Sequence, residues 1–348
     1  MWNRSAAPRV GVLVVTGVCL VLGVGCGAPE PETAGPTEAP AEAPAEAPTG
    51  GPTDGSAPLP PHRIIYQSLR GGEPIDVWVM NGDGSEPTNL TGNVYGRHPT
   101  AFPDGTRIAF RSDRDGNPEV YVMSADGAEP TNLTEHPASD ANPSVSPDGA
   151  TIVFDSDRDS RVEAAELESL TANPASEIYV MDADGSNLVR LTDNAFVDSH
   201  PWWSPDGRRI AFYSNRDNPD GEAQDLYVMD ADGGNVTRLT DDPADDRYPS
   251  WSPDGTRITF TSDRDGNPEV YTMAADGSDP IRLTENDAPD NAPAWSPDGE
   301  WIVFASERDG SSEVYVMRVD GSEQTRLTSD GLPSTGNARW LPVDAGSR

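Results

Sequence analysis

Four aspartates occupy equivalent positions in this chain, each three residues before a proline. They are Asp140, Asp198, Asp246 and Asp290. The residues directly before these prolines, and before the equivalent Pro99, which has Gly96 in place of the Asp, are also suited to binding, and they include His98, Asn142, His200 and Tyr248. If the carboxylates converge, they form a partial ring that binds a divalent cation or a Lys or Arg of a partner. Alternatively, each Asp caps its own loop by accepting hydrogen bonds from backbone amides.

These positions recur because the sequence is built from repeats. Pro-Asp-Gly occurs at Asp104, Asp148, Asp206, Asp254 and Asp298, in steps of 44, 58, 48 and 44 residues. Each triplet is followed by an Ile-x-Phe segment, an aromatic-x-Met segment and a Leu-Thr pair. Pro, Asp and Gly favour tight turns, whereas the β-branched and aromatic residues between them favour strands. Each unit therefore predicts four short antiparallel strands, which is the pattern of a propeller blade.

The two ends of the repeat region predict how the ring closes. The segment that begins at His62 starts in mid-unit and has no first strand of its own. The missing strand is found at the other end, in residues 337–342. Pairing the two ends covers two open sheet edges. We therefore predict an all-β fold, a six-bladed β-propeller of four-stranded antiparallel blades over residues 62–343, with a tail at 344–348.

The face that carries the loops into the first strands is predicted to be the functional one. The Pro-Asp-Gly turns are alike in all units, whereas the loops on the opposite face differ, and variable loops on a rigid scaffold commonly bind ligands. This places the four aspartates, the two histidines, Asn142 and Tyr248 at the mouth of the central channel. Two insertions, at 160–176 and 218–224, fall on the same face. Each can equally be a neutral difference in loop length.

No metal ligand and no catalytic residue is assigned from these motifs. His98 and His200 are expected to face one channel about a third of a turn apart, but a transition metal needs further ligands within about 2 Å, which a wide channel does not favour. No cofactor is predicted, and calcium bound at the acidic mouth is the alternative. The repeated Ser-Asp-Arg-Asp segment departs from EF-hand spacing. Its arginine is instead expected to bridge carboxylates or carbonyls of the adjacent blade.

The first 61 residues predict export and anchoring. Arg4 and Arg9 flank an apolar run at 10–24, which is short for a membrane span and typical of a signal peptide over residues 1–25. The residues before Cys26 resemble a bacterial lipoprotein signal, with Leu22 one place too early, so that Cys26 is the predicted lipidation site and ordinary secretion the alternative. Residues 26–61 are rich in Pro, Ala and Glu and predict a disordered tether.

The charge limits the class of partner. The formal net charge is −35, and all 24 basic residues are arginines. Such a surface argues against nucleic acid and anionic lipid as partners. Two explanations of the acidic surface stay open, adaptation to a salty habitat and attraction to a basic partner.

The segments Trp251-Ser252-Pro253-Asp254-Gly255 and Ile258-x-Phe260, with the Tyr271-x-Met273 segment after them, resemble the WD-like propeller repeat of the TolB family. The resemblance covers residues 62–343 and implies a propeller that binds proteins. The α/β domain that precedes the propeller in TolB has no counterpart here, so the TolA contacts attributed to that region are not carried over.

Together these features predict a non-catalytic scaffold of the bacterial cell envelope, periplasmic or extracytoplasmic and held to the membrane only by its lipid anchor. We expect a monomer that binds a protein or peptide, with a basic partner as one option, at the channel mouth. The alternative is a glycan-active lyase or hydrolase that uses the mouth carboxylates, with or without a metal.

Overall fold

The fold was analysed in a computed structural model, which describes residues 59–70, 72–160, 175–218, 223–333 and 335–342. The first three strands are β1 (Arg63–Ser68), β2 (Asp76–Met80) and β3 (Thr88–Asn89). The second blade contains β4 (Arg97–Ala101), β5 (Arg107–Ser112), β6 (Glu119–Ser124) and β7 (Thr131–Asn132). The third contains β8 (Asp140–Val145), β9 (Thr151–Ser156), β10 (Glu177–Asp182) and β11 (Val189–Arg190).

The remaining strands repeat the same pattern. The fourth blade contains β12 (Asp198–Trp203), β13 (Arg209–Ser214), β14 (Asp225–Asp230) and β15 (Thr237–Arg238). The fifth contains β16 (Asp246–Trp251), β17 (Arg257–Ser262), β18 (Glu269–Ala274) and β19 (Ile281–Arg282). The sixth contains β20 (Asp290–Trp295), β21 (Trp301–Ser306), β22 (Glu313–Arg318) and β23 (Thr325–Arg326), and β24 (Gly336–Leu341) ends the series. The six four-stranded antiparallel sheets confirm the predicted propeller.

The last strand closes the ring as predicted. Strand β24 pairs with β1 as the innermost strand of the first blade, with Ile64 opposite Trp340. The indole of Trp340 is buried and donates a hydrogen bond of 3.0 Å to the carbonyl of Ala294 in the sixth blade. Closure therefore joins the two ends of the chain and also ties the first blade to the sixth.

The hydrophobic core lies between neighbouring blades. One cluster combines Ile65 and Val79 of the first blade with Ile108 and Phe110 of the second. Another packs Tyr66 of the first blade against residues of the sixth. Because each blade buries its apolar faces only against its neighbours, the stability of this fold depends on an unbroken ring.

The Pro-Asp-Gly turns have a local cause that repeats in each unit. Gly255 has a φ of +70°, a left-handed conformation that glycine adopts at no steric cost. The carboxylate of Asp254 accepts hydrogen bonds from the backbone amide of Thr256 at 3.0 Å and from the hydroxyl of Ser252 at 2.6 Å. These turns join the first and second strands and hold one face of the disc in a uniform conformation.

Candidate functional site

The innermost strands direct six side chains toward the channel axis by a shared irregularity. In each of them the register of pairing shifts by a β-bulge next to the same position. The residue at that position has a left-handed backbone, with φ between 44° and 57°. These residues are His98, Asn142, His200, Tyr248, Ala292 and Asn337. Bulges re-aim side chains in this way, and non-glycine residues with positive φ often mark functional positions.

The two histidines and Tyr248 meet in the channel. The rings of His98 and His200 lie 5.3 Å apart between centroids, and His200 lies 4.7 Å from Tyr248, edge to face. Tyr213, which the sequence did not single out, stacks on His200 at 5.1 Å. The prediction that the two histidines share one channel is confirmed, but the expectation of a wide channel is wrong, because aromatic rings leave a cavity of only about 20 Å³ among His98, His200 and Tyr248. A larger cavity, of about 280 Å³, lies beside Tyr248, Ala292 and Asn337.

Polar atoms in this cluster lack partners. His98 Nδ1, Asn142 Oδ1 and His200 Nε2 are buried and form no hydrogen bond with any described residue. Burial, together with the charges of nearby arginines, foremost Arg111, lowers the pKa of His98 to about 3. Burial likewise lowers the pKa of His200 well below its ordinary value. Both imidazoles are therefore neutral at neutral pH, and each has one nitrogen lone pair that can accept a hydrogen bond.

Asp155 on β9 supports the cluster, although its sequence position gave no sign of this. Its carboxylate accepts hydrogen bonds from the side-chain amide of Asn142 at 2.8 Å and from the backbone amide of His200 at 3.1 Å. Burial raises the pKa of Asp155 to about 6. The contact links the third and fourth blades and holds both left-handed residues in place.

The prediction of a carboxylate ring at the mouth is wrong. The four aspartates, Asp140, Asp198, Asp246 and Asp290, are fully buried and each forms an ion pair with an arginine of its own blade. Their partners are Arg158, Arg216, Arg264 and Arg308. Burying a carboxylate carries a large desolvation penalty, which the ion pair offsets in part. Burial still raises the pKa of Asp246 to about 6. The aspartates therefore tie the first strand to the rest of the sheet in the third to sixth blades, and they do not cap loops by accepting from backbone amides, which was the alternative.

The same contacts correct the role predicted for the Ser-Asp-Arg-Asp segment. Arg264, for example, donates to both carboxylate oxygens of Asp246 at 3.0 Å and to the hydroxyl of Ser262 at 2.8 Å, all within one blade. Its guanidinium carbon lies 4.9 Å from the centre of the Tyr271 ring. The arginine thus binds strands of its own sheet together, which differs from the predicted bridge to the adjacent blade. Arg264 in addition pairs at 2.9 Å with Asp242, in the loop between the fourth and fifth blades.

Arg339 is a further channel residue that was not predicted from the sequence. It extends from β24 toward Trp202 on β12, and its guanidinium carbon lies 4.8 Å from the centre of that indole. The innermost strands contact one another in ring order, which places β24 and β12 on opposite blades. A signal was present in the sequence, because the equivalent positions of the other blades hold Thr100, Ser144, Trp202, Ser250 and Ala294, none of them charged.

Metal and membrane features were also sought among the described residues. That part of the chain contains no group of three or more His, Cys, Asp or Glu side chains arranged to hold a metal ion. It also contains no helix long and apolar enough to cross a bilayer. The signal peptide, Cys26 and most of the tether lie outside the described residues, as do 161–174 and 219–222 within the two insertions.

Comparison with known proteins agrees with this architecture. The family model of the TolB beta propeller domain matches residues 63–165 and 218–289, about half of the chain. The crystal structure of TolB from Acinetobacter baumannii is 24% identical, with a TM-score of 0.68 over 81% of this chain and 67% of that one. Putative TolB from Agrobacterium tumefaciens is also 24% identical, with a TM-score of 0.57 over 81% of this chain and 99% of its own.

A structure of an enzyme shares the fold as well. Oligogalacturonate lyase in complex with manganese is 16% identical, with a TM-score of 0.54 over 76% of this chain and 73% of that one. Likeness at these identities concerns the fold, because one propeller scaffold supports unrelated functions. The match to the family model covers half of the chain, and the closed six-bladed ring with its repeated turns agrees with it. The chain therefore belongs to the TolB beta propeller domain family.

Proposed function

We propose that the protein is a non-catalytic scaffold of the bacterial cell envelope that binds a protein or peptide partner at the channel mouth. The observation that carries the proposal is the set of unpartnered polar atoms on His98, Asn142 and His200. A buried polar atom without a hydrogen bond costs about 1–3 kcal/mol, so a partner that supplies donors there gains affinity. The left-handed backbone holds these side chains in position before any partner arrives.

The identity of the mouth residues also supports a binding role. The turns of the opposite face repeat one sequence, but the six axial positions carry four residue types, His, Asn, Tyr and Ala. A position that served only to close the ring would have no reason to differ between blades. The side chains at these positions therefore present an asymmetric surface, which one specific partner can recognise.

The small cavity at the mouth favours a neutral or acidic group of the partner over a basic one. Its lining includes no Asp or Glu, and the charged residue in it is Arg339. The adjoining cavity beside Tyr248 and Asn337 is lined by both Arg97 and Glu307. The buried ion pairs described above also remove the four aspartates from any cleavage reaction. This arrangement supports a non-catalytic role over the glycan lyase or hydrolase that the sequence left as the alternative.

Anchoring through Cys26 remains part of the proposal. A lipid at this position would hold the propeller near a membrane at the end of the tether, since residues 26–61 are rich in Pro, Ala and Glu. A Cys26→Ser variant should move from the membrane fraction to the soluble fraction. Recovery of this variant with membranes, as the parent is, would overturn the anchor and leave simple secretion.

The binding proposal is tested by site-specific photo-crosslinking in cells. A photoreactive phenylalanine at Tyr248 should give one discrete adduct, and Asn142→Ala should diminish it in the same background. The matched control carries the same residue at Thr256, an exposed position on the turn face. No adduct from position 248, or the same adduct from both positions, would contradict binding at the mouth.

A further inference from the structure

The opposite end of the channel holds a second and larger cavity. Its volume is about 180 Å³, and it opens on the face of the Pro-Asp-Gly turns. Its walls are indoles and proline rings, among them Trp202, Trp295, Trp340, Pro253 and Pro342. A cavity of this size and composition suits a small molecule with a flat apolar body, because aromatic walls favour ring stacking.

The charge within this cavity is opposite to that of the protein. The chain has 59 acidic residues, yet no Asp or Glu lines the cavity, and the one charged lining residue is Arg339. In such an acidic chain, a lining free of carboxylates and centred on one cation creates a local site for an anion.

Arg339 has no counterion among the described residues. Its Nη1 atom donates to the carbonyl of Ala338 at 2.8 Å and, more weakly, to that of Ala292 at 3.4 Å. Its Nε and Nη2 atoms form no hydrogen bond with a described residue. Neither atom is fully buried, so both can be reached by a ligand. Burial lowers the pKa of Arg339 to about 10, so the guanidinium stays charged at neutral pH. A charged group in this position gains from an anion that reaches it.

The fork geometry of arginine selects the kind of anion. A guanidinium pairs side by side with the two oxygens of a carboxylate. A phosphate usually recruits several cations, and the cavity offers one. The contact with Trp202 holds the guanidinium across the channel, so little side-chain freedom is lost on binding.

We propose that this cavity binds the carboxylate of a small aromatic acid, or of a chain end with an aromatic residue, with Arg339 pairing the carboxylate and the indoles of Trp202, Trp295 and Trp340 contacting the ring. The site opens on the turn face, away from His98 and His200, although Trp202 and Arg339 border both cavities. The proposal does not rest on the protein partner, because binding of the acid and its amide is measured on the propeller alone.

The test compares an acid with its uncharged isostere on the full propeller. Phenylacetate should bind with a dissociation constant below about 1 mM, seen by tryptophan fluorescence and ligand-observed NMR, whereas phenylacetamide should bind at least about tenfold more weakly. Arg339→Gln should remove this preference. The matched control Arg208→Gln, an exposed arginine on the same face, should retain it. Equal binding of acid and amide to the parent, or no binding of either, would overturn the proposal without reference to any variant.

Two further arms complete the design. If Arg339→Gln unfolds under the assay conditions, Arg339→Lys takes its place, because lysine keeps the charge but lacks the forked guanidinium. The Arg339→Lys variant should bind phenylacetate more weakly than the parent does. A tripeptide ending in phenylalanine, with a free or an amidated terminus, tests the source of the carboxylate. Binding of the free peptide identifies a chain end as a ligand, and binding of phenylacetate alone identifies a small acid. Unchanged phenylacetate affinity in the Arg339→Lys or Arg339→Gln variant would contradict the role of the guanidinium.

Discussion

The imidazole rings of His98 and His200 lie 5.3 Å apart, although their strands belong to the second and fourth blades. Both imidazoles are held neutral by burial and by the arginines around them. The charged and titratable groups near the pair are Arg97, Arg111, Arg247, Arg339, Asp155, Tyr213 and Tyr248. The centre of the channel therefore couples folding to pH.

The first prediction concerns that coupling. The folded-state pKa of His98, about 3, lies below the unfolded value of about 6.5, so acidification protonates the unfolded chain first and lowers stability. His98→Asn should reduce the loss of unfolding free energy between pH 7 and pH 5 by roughly 1–2 kcal/mol. Urea unfolding at the two pH values measures this loss. Equal losses in the variant and the parent would contradict a neutral, buried His98.

Asp155 supplies the control of opposite sign. Its folded-state pKa of about 6 lies above the unfolded value of about 3.9, so the folded state takes up a proton first as the pH falls below 6. This uptake stabilises the fold on acidification. Asp155→Asn should therefore increase the loss between pH 7 and pH 5, by roughly 1 kcal/mol. If Asp155→Asn reduced the loss of unfolding free energy, as His98→Asn should, a raised pKa of Asp155 in the folded state would be contradicted.

The second prediction tests the buried ion pairs. Asp246→Ala removes the buried carboxylate of the Arg264 ion pair, leaves Arg264 only the partly exposed Asp242, and should lower the unfolding free energy by about 1–3 kcal/mol. Glu285→Ala, at an exposed carboxylate in the following loop, should change it by less than about 0.5 kcal/mol. An open ring of carboxylates would give the opposite sign, because removal of one like charge relieves repulsion. Stabilisation by Asp246→Ala would thus contradict the ion pair.

The third prediction concerns the left-handed axial positions. Asn337 has a φ of 44°, which glycine adopts freely and a β-branched residue strongly disfavours. Asn337→Val should lower stability by about 1–2 kcal/mol, whereas Asn337→Gly should stay within about 0.5 kcal/mol of the parent. Thermal unfolding of both variants checks this. If valine is tolerated as well as glycine, the backbone at the channel axis is not left-handed.

The repeat period was sufficient to predict the blades, the turns and the closing strand. These features depend on local residue patterns such as Pro253-Asp254-Gly255, which act the same way in each unit. The mouth was predicted in part: the axial residues lie where their alignment placed them, but the aspartates three positions earlier do not. Their side chains turn back into the blade because an arginine 18 residues later reaches them. That constant spacing was visible in the sequence.

The remaining features depend on distances between blades. The contact of His98 with His200 depends on the channel width, which is set by how six sheets pack around an axis. The contact of Arg339 with Trp202 joins opposite blades and leaves no periodic trace in the sequence. The signal in the sequence was that Arg339 is charged where the equivalent residues of the other blades are uncharged. That signal identifies Arg339, but it does not identify Trp202 as its partner.

Closure of the ring by β24 is the claim on which both cavities depend, since Asn337 and Arg339 belong to that strand. The most direct test compares the melting temperatures of two truncated chains, one ending after Thr335 and one ending after Pro342. The first loses the pairing with Ile64 and Ile65 and the hydrogen bond from Trp340 to the sixth blade. We predict that it is severely destabilised or unfolded at the growth temperature, while the longer chain melts as the parent does. If the chain ending after Thr335 melts as the parent does, the propeller is not closed by β24.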